Sequence, residues 1–178
     1  MASEVGSRGP GAGRARVAVR AATDEDWEQI YEIFTQVVEE GRTYAYPLGL
    51  SSAAAQALWM EPDPGRTVVA VVDDQVVGTA KMGPNRPGRG AHVATASFRV
   101  HPERRRQGIA TVLATHVVEW CRAAGYRGIQ FNAVVETNTG AIQLWRKLGF
   151  VIVGTVPGAF DDAEAGYVGL CVMYLGLR

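Results

Sequence analysis

Residues 100–113 read VHPERRRQGIATVL, in which three consecutive arginines and a glycine directly precede an apolar pattern of helical spacing. The first turn of a helix has backbone N–H groups without intrahelical partners, and these groups favour an anion. Gly108 lets the backbone approach a phosphate, because no side chain intervenes, and the small Ala110 leaves the approach open. The arginines add charge-assisted hydrogen bonds. The stretch predicts a pyrophosphate-binding turn, although an ordinary strand-to-helix turn with solvated arginines would also explain it.

Other phosphate-binding motifs do not fit this stretch. It lacks the second glycine and the Gly-Lys-Ser/Thr ending of a Walker loop, and it lacks the three glycines of a dinucleotide fingerprint.

The chain of 178 residues has a formal net charge of zero, and its one basic cluster is residues 104–106. A neutral chain with one basic cluster argues against a nucleic acid or an anionic membrane as partner.

Length and composition predict a single domain over residues 16–178, preceded by a disordered tail over residues 1–15 that is rich in Gly, Ser and Arg. Cys121 and Cys171 lie in apolar runs without metal-ligand spacing, so we expect no metal site and a reducing, cytoplasmic environment. The chain has no run of about 18 apolar residues, which argues against a membrane span.

Apolar periodicity predicts an alternation of strands and helices typical of an α+β fold with a mixed sheet. Thr23 and Asp26 form a capping-box pattern before the first helix, and Asp73-Asp74 predicts a hairpin turn. The predicted strands are residues 15–22, 67–73, 75–83, 91–100, 128–135, 150–156 and 166–176, and the predicted helices are residues 23–41, 51–60, 109–124 and 141–148.

Two spaced signatures give the most specific information. The first is V-x-P-x-x-R-x-x-G-x-A, formed by Val100, Pro102, Arg105, Gly108 and Ala110. The second is N-x-x-A at 138–141, followed by LWRKLGF at 144–150. The first signature resembles the acetyl-coenzyme A loop of the GNAT superfamily of N-acetyltransferases. The second resembles the signature that follows this loop along the chain in that superfamily, and the order and spacing agree. The predicted element order is similar as well.

The resemblance implies the GNAT fold, in which the central sheet splays apart between its fourth and fifth strands and helices cover both faces. It implies acetyl-CoA as co-substrate, with pantetheine amides pairing with backbone that the splay leaves open near Val100. It also implies direct acetyl transfer to a small-molecule amine within a ternary complex. The residues implied to hold the pyrophosphate are Arg105, Arg106, Gln107, Gly108, Ile109 and Ala110.

Trp145 stands where most members of the superfamily have a tyrosine that protonates the departing thiolate. An indole N–H is a donor but not a usable acid, and the position also fits the apolar face of its helix. The runs PNRPGRGAHVATASFRV and IQFNAVVETN resemble yeast-type N-acetyltransferases that detoxify azetidine-2-carboxylate. That group implies a contact from Asn138 to the coenzyme A sulfur, although Asn138 also fits a helix N-cap.

The narrower resemblance further implies that backbone amides of Asn132 and Ala133 hold a substrate carboxylate, and that the Phe98 amide polarises the acetyl carbonyl. Thr95 departs from the group, which has an asparagine there, and this leaves the substrate open. Tyr44 lies on a loop that borders the acceptor pocket in this fold. An amino or imino acid is the expected acceptor. Another amine, such as an antibiotic or a protein N-terminus, a non-catalytic acyl-CoA-binding module, and a homodimer all stay open.

Overall fold

A computed structural model of the chain describes residues 16–177, so the predicted tail at 1–15 lies outside the described residues. Within that range the elements follow the predicted order. They are β1 (Ala18–Ala21), α1 (Trp27–Glu39), α2 (Ser52–Trp59), β2 (Arg66–Val72), β3 (Gln75–Pro84), β4 (Val93–Val100), α3 (Ile109–Ala123), β5 (Gly128–Val135), α4 (Thr139–Lys147), β6 (Val151–Asp162) and β7 (Gly166–Gly176).

The strands form one sheet in the order β1-β2-β3-β4-β5-β7-β6. All neighbours are antiparallel except β4 and β5, which are parallel. These two strands pair only at Val93 with Gly128 and at Ala94 with Ile129, although both continue for several residues. Beyond Ala94 they separate and leave backbone groups without a neighbouring strand. The predicted splay between the fourth and fifth strands, and with it the GNAT fold, is confirmed.

Helices cover both faces of the sheet. α3 and α4 pack on one face around a core that includes Leu113, Ile129 and Trp145. α1 and α2 pack on the other face around Phe34 and Trp59. Because successive side chains of a strand point to opposite faces, each residue of β4 belongs to one of these two layers. The position of a residue in β4 therefore decides on which face of the sheet its side chain lies.

Local sequence explains most element ends. Asp73 and Asp74 form the β2–β3 turn with φ angles of 48° and 61°, as a two-residue hairpin of type I′ requires. The predicted sixth strand ended at residue 156, and this is wrong, because β6 continues to Asp162. The pairing of β6 with β7 shifts between Val156 and Phe160, so a bulge accommodates Pro157 and Gly158 and the strand continues beyond them. None of the helices in residues 16–177 has the length and apolar character needed to cross a membrane.

Candidate active site

The separation of β4 from β5 opens a cavity of about 650 Å³, here called the inner cavity. It lies between the two strands and the loop that joins α1 to α2, residues 40–51, here called the α1–α2 loop. The structure brings together here predicted site residues that are far apart in the sequence. They are Tyr44, Thr95, Phe98, Val100, Arg105, Asn132, Ala133 and Asn138.

A second cavity of about 470 Å³, here called the outer cavity, lies beside the start of α3 and one side of α4. Val100 and Arg105 line both cavities, so the two are neighbours. The predicted pyrophosphate-binding residues that line the outer cavity are Arg105, Arg106, Gly108, Ile109 and Ala110. Gln107 lines neither cavity, and its side chain donates to the Glu103 carbonyl at 3.4 Å.

The turn before α3 has the geometry of an anion site. Gly108 has a φ of +84°, and a Cβ built there would meet no atom of residues 16–177 within 4 Å. The first backbone hydrogen bond into α3 runs from the Val112 N–H to the Gly108 carbonyl. Within residues 16–177, the backbone N–H groups of residues 106–111 have no hydrogen-bond acceptor. Every helix start leaves such groups unpaired, but the open space at Gly108 lets an anion approach them, as the predicted pyrophosphate site requires.

The Arg105 side chain pairs with Glu40 at the end of α1, at 2.6 Å between Nη2 and Oε2. The arginine side chain is 45% exposed, and an exposed ion pair contributes little to stability. Arg105 therefore connects the end of α1 to the turn before α3, and it lines both cavities.

Asn138 is the N-cap of α4, and its Oδ1 accepts a hydrogen bond from the Ala141 N–H at 3.2 Å. The cap uses the oxygen of the side-chain amide and leaves the two Nδ2 hydrogens free to donate. The two interpretations of Asn138, helix cap and sulfur contact, are therefore compatible, because they use different atoms. Trp145 is 7% exposed and packs against Phe98, Phe131 and Phe150, as a core residue does.

Tyr44 and Phe98 interact directly. The Tyr44 hydroxyl accepts from the Phe98 N–H at 2.9 Å and donates to the Phe98 carbonyl at 2.5 Å. It thus caps the backbone of β4 where the neighbouring strand has moved away. Burial raises the pKa of Tyr44, so the phenol stays protonated at neutral pH. The Phe98 amide predicted to polarise the acetyl group already has an acceptor, which has to leave before a carbonyl oxygen can replace it.

On the other side of the splay, β5 bulges. Its pairing with β7 shifts between Phe131 and Val134, so Asn132 and Ala133 fall outside the ladder. Asn132 Nδ2 donates to Asn85 Oδ1 at 2.6 Å, which ties the bulge to the end of β3, and both Asn132 and Ala133 line the inner cavity.

Arg99 lines the inner cavity but was not among the predicted site residues. Arg99 lies in β4 and is 1% exposed, with its guanidinium among aromatic rings of the α1–α2 layer. The sequence did contain a signal for this residue, because Arg99 is the one charged residue in the strand run ATASFRV at 94–100. A charged side chain in a buried strand is rare unless it has a partner.

A sheet parted between two parallel strands, next to a helix start with open amides, defines an acyl-CoA-binding transferase fold. Residues 25–150 match the model of the acetyltransferase (GNAT) family, and the chain belongs to that family. Membership confirms the predicted enzyme class, and solved acetyltransferases of this fold from Salmonella typhimurium and Sinorhizobium meliloti contain acetyl-CoA, in agreement with the predicted co-substrate.

Relatives and solved structures agree with this assignment. The chain is 33% identical to N-acetyltransferase aca1 of Schizosaccharomyces pombe over 52% of its own length and 45% of that protein. It is 27% identical to the L-amino acid N-acetyltransferase AaaT of Escherichia coli over 79% of its length and 86% of that protein. A GCN5-related N-acetyltransferase from Kribbella flavida superposes with a TM-score of 0.88 at 49% identity, covering 90% of this chain and 97% of that one. The chain spans less than half the length of the fission-yeast relative.

Proposed function

We propose that this protein moves an acetyl group from acetyl-CoA to the amine of a small amino or imino acid, by direct transfer in a ternary complex. The observation that supports this most is the inner cavity, where unpaired backbone of β4 faces the unpaired bulge of β5. A donor that lies along β4 and an acceptor held by β5 would meet there.

The residues present fit acetyl-CoA. The open amides of residues 106–110 and the Arg105 guanidinium bind the pyrophosphate in the outer cavity. The outward backbone groups of Val100 hold the amide-bearing arm of the co-substrate as a neighbouring strand would. When bound, acetyl-CoA supplies an activated acyl group next to Phe98.

The chain's own groups then act on developing charge. The Phe98 N–H donates to the acyl oxygen once the Tyr44 hydroxyl has moved. The Asn138 Nδ2 donates a hydrogen bond to the departing sulfur, which stabilises the developing thiolate without protonating it. The thiolate can take its proton from solvent after transfer. Transfer in this arrangement needs no nucleophile from the protein, and solvent can accept the proton that the amine loses.

The acceptor class has separate support. Asn132 and Ala133 line the inner cavity and lie outside the β5–β7 ladder, so their backbone N–H groups would be available to the oxygens of a carboxylate. The Escherichia coli relative is named as an L-amino acid N-acetyltransferase, which fits the same class. Thr95 lines the cavity where the azetidine-2-carboxylate group has an asparagine, so we include that imino acid among the acceptors without requiring it. A role in detoxification in the cytoplasm would follow from such a substrate.

Thiol release from acetyl-CoA across a panel of imino acids, primary amino acids and amine antibiotics tests the proposal. We expect release with amino or imino acids and mass-spectrometric detection of the N-acetylated product. Thiol release only with amine antibiotics would show that the acceptor is an antibiotic and not an amino or imino acid. Peptides that mimic protein N-termini are added to the panel to test that alternative. If acetyl-CoA binds but no amine or peptide causes release of the thiol, the protein is a non-catalytic acyl-CoA-binding module.

A further inference from the structure

Arg99 is a buried cation whose hydrogen-bonding capacity is only partly used. Its guanidinium carbon lies 3.8 Å from the ring centroid of Phe34 and 4.4, 4.5 and 5.2 Å from those of Trp59, Tyr44 and Tyr46. Nη1 donates to the Phe34 carbonyl at 2.8 Å. Nε and Nη2 are buried, and neither has a hydrogen-bond acceptor within residues 16–177.

Within the described part of the chain, no carboxylate neutralises this charge. Among residues 16–177, none of the ion pairs includes Arg99, and Glu40, which lines the same cavity, pairs with Arg105 instead. Burial lowers the pKa of Arg99 to about 10, which still leaves the group protonated at neutral pH. Aromatic faces stabilise a cation in part, but they do not satisfy in-plane N–H donors. A planar anion is the partner that the site lacks.

The position of Arg99 identifies the side from which such an anion arrives. Thr95, Ser97 and Arg99 alternate along β4 and all line the inner cavity. Phe98, between them, packs on Phe131 and Trp145 in the layer of α3 and α4. Arg99 packs in the layer of α1 and α2, on the same side as the α1–α2 loop. Arg99 does not line the outer cavity, where the proposed pyrophosphate-binding turn lies, so we do not assign phosphate as its partner.

We propose that Arg99 is the residue that selects an anionic acceptor, by pairing through Nε and Nη2 with the carboxylate of the amino or imino acid. These two nitrogens form one edge of the guanidinium, whose parallel N–H groups match the two oxygens of a carboxylate. The inference rests on the proposed function and narrows it, since an amine without a carboxylate leaves Arg99 unpaired.

The proposal requires movement of the α1–α2 loop. The rings of Tyr44 and Tyr46 cover the guanidinium and also line the inner cavity, so a carboxylate reaches Arg99 when these rings shift. The backbone N–H groups of Asn132 and Ala133 carry no net charge and can donate to a carboxamide oxygen as well as to a carboxylate. The guanidinium adds a full positive charge, which discriminates more strongly between the two.

The test compares acid and carboxamide forms of one acceptor. We would measure kcat/KM for L-azetidine-2-carboxylate, L-alanine and any other active amino acid, each against its carboxamide, in the wild type and in Arg99→Met. Methionine keeps an unbranched apolar chain among the rings and removes the charge. Arg66→Met is the matched control, because Arg66 also lies over an aromatic ring, that of Trp120, but lines neither cavity.

We expect the wild type to prefer the acid, and Arg99→Met to reduce that preference about 10- to 100-fold through the KM of the acid, with the KM for acetyl-CoA unchanged. Arg99→Lys should keep part of the preference, because it retains the charge without the two-pronged edge. Equal rates for acid and carboxamide in the wild type would overturn the inference even if Arg99→Met failed to fold, and so would an unchanged preference in folded Arg99→Met.

Failure of the proposed function has a different signature, which is absence of thiol release with every amine. In that case calorimetric titration of L-azetidine-2-carboxylate and L-alanine into the CoA-bound wild type and Arg99→Met decides the inference. Binding that needs Arg99 supports an anion site without turnover, and equal or absent binding in both proteins overturns it.

Discussion

Replacing Asn138 tests the transfer step, because its side chain offers two separable interactions. Oδ1 caps α4 through the Ala141 N–H, whereas Nδ2 is proposed to donate to the sulfur. Asn138→Ala removes both. Asn138→Asp keeps an oxygen for the cap and replaces the donor by a negative charge, which would repel a developing thiolate. Aspartate and asparagine cap helices about equally well, so the aspartate variant is the matched control for stability.

The expected sizes follow from the geometry. The cap distance of 3.2 Å is at the long end for an N–H···O bond, so its loss should cost about 1 kcal/mol, or roughly 2–4 °C in Tm for a chain of this size. Loss of one donor to a developing anion reduces kcat by about 10²–10³. Sulfur is a softer acceptor than oxygen, so we expect about 10². The affinity for acetyl-CoA should change little, because the thioester sulfur carries little charge before transfer.

The assay is steady-state thiol release, paired with thermal unfolding of each variant. We expect Asn138→Ala to lose both stability and turnover, and Asn138→Asp to lose turnover at near-normal Tm. A stable Asn138→Asp variant with wild-type kcat would refute the sulfur contact and leave Asn138 a helix cap. A turnover defect that followed Tm across both variants would lead to the same conclusion.

Four further substitutions test the remaining assignments. Gly108→Val should abolish most of the stabilisation by acetyl-CoA measured in thermal unfolding, which is about 2.7 kcal/mol at a hundredfold excess over Kd. Gly125→Val should keep this stabilisation, because Gly125 has a similar φ of +82° and equally open surroundings but lies outside the site. An equal loss in both variants would indicate backbone strain alone. Arg105→Ala should raise the KM for acetyl-CoA more than it lowers kcat. An identical defect in Glu40→Gln would assign that effect to the ion pair instead of the phosphate. Thr95→Asn should shift preference toward azetidine-2-carboxylate, while Ser97→Asn on the same face of β4 should not; equal shifts would remove Thr95 as the discriminating residue. Tyr44→Phe should free the Phe98 amide and increase the affinity for acetyl-CoA relative to CoA, measured by calorimetry with Tyr46→Phe as control, and an unchanged ratio would argue against an acetyl contact at Phe98.

Features that depend on local sequence could be predicted. The open turn at Gly108, the Asn138 cap and the Asp73-Asp74 hairpin follow from residue preferences within a few positions, and the structure contains all three. The splay between β4 and β5 came only through the resemblance, because no local pattern indicates that two strands part after two paired residues.

Contacts between distant segments could not be predicted. Tyr44 was expected near the acceptor, but its bonds to Phe98 link residues 54 positions apart and depend on the path of the α1–α2 loop. The aromatic surroundings of Arg99 require α1, α2 and that loop to meet over β4. Whether a charge in a strand is solvated or enclosed depends on such packing, which residue spacing does not encode.

The division of the site between backbone and side chains explains why the donor was easier to predict than the acceptor. The groups assigned to acetyl-CoA are mostly backbone amides, at the α3 start and along β4, so their positions follow from the fold and from the small residues that leave them open. The groups proposed to face the acceptor include, besides the backbone of the β5 bulge, side chains on one face of β4 and on the α1–α2 loop. Such side chains can change without moving the amides, so one fold retains the same acyl donor while its acceptors differ. The acceptor of this protein therefore has to be inferred from Thr95, Ser97 and Arg99, and the charge of Arg99 favours an acid.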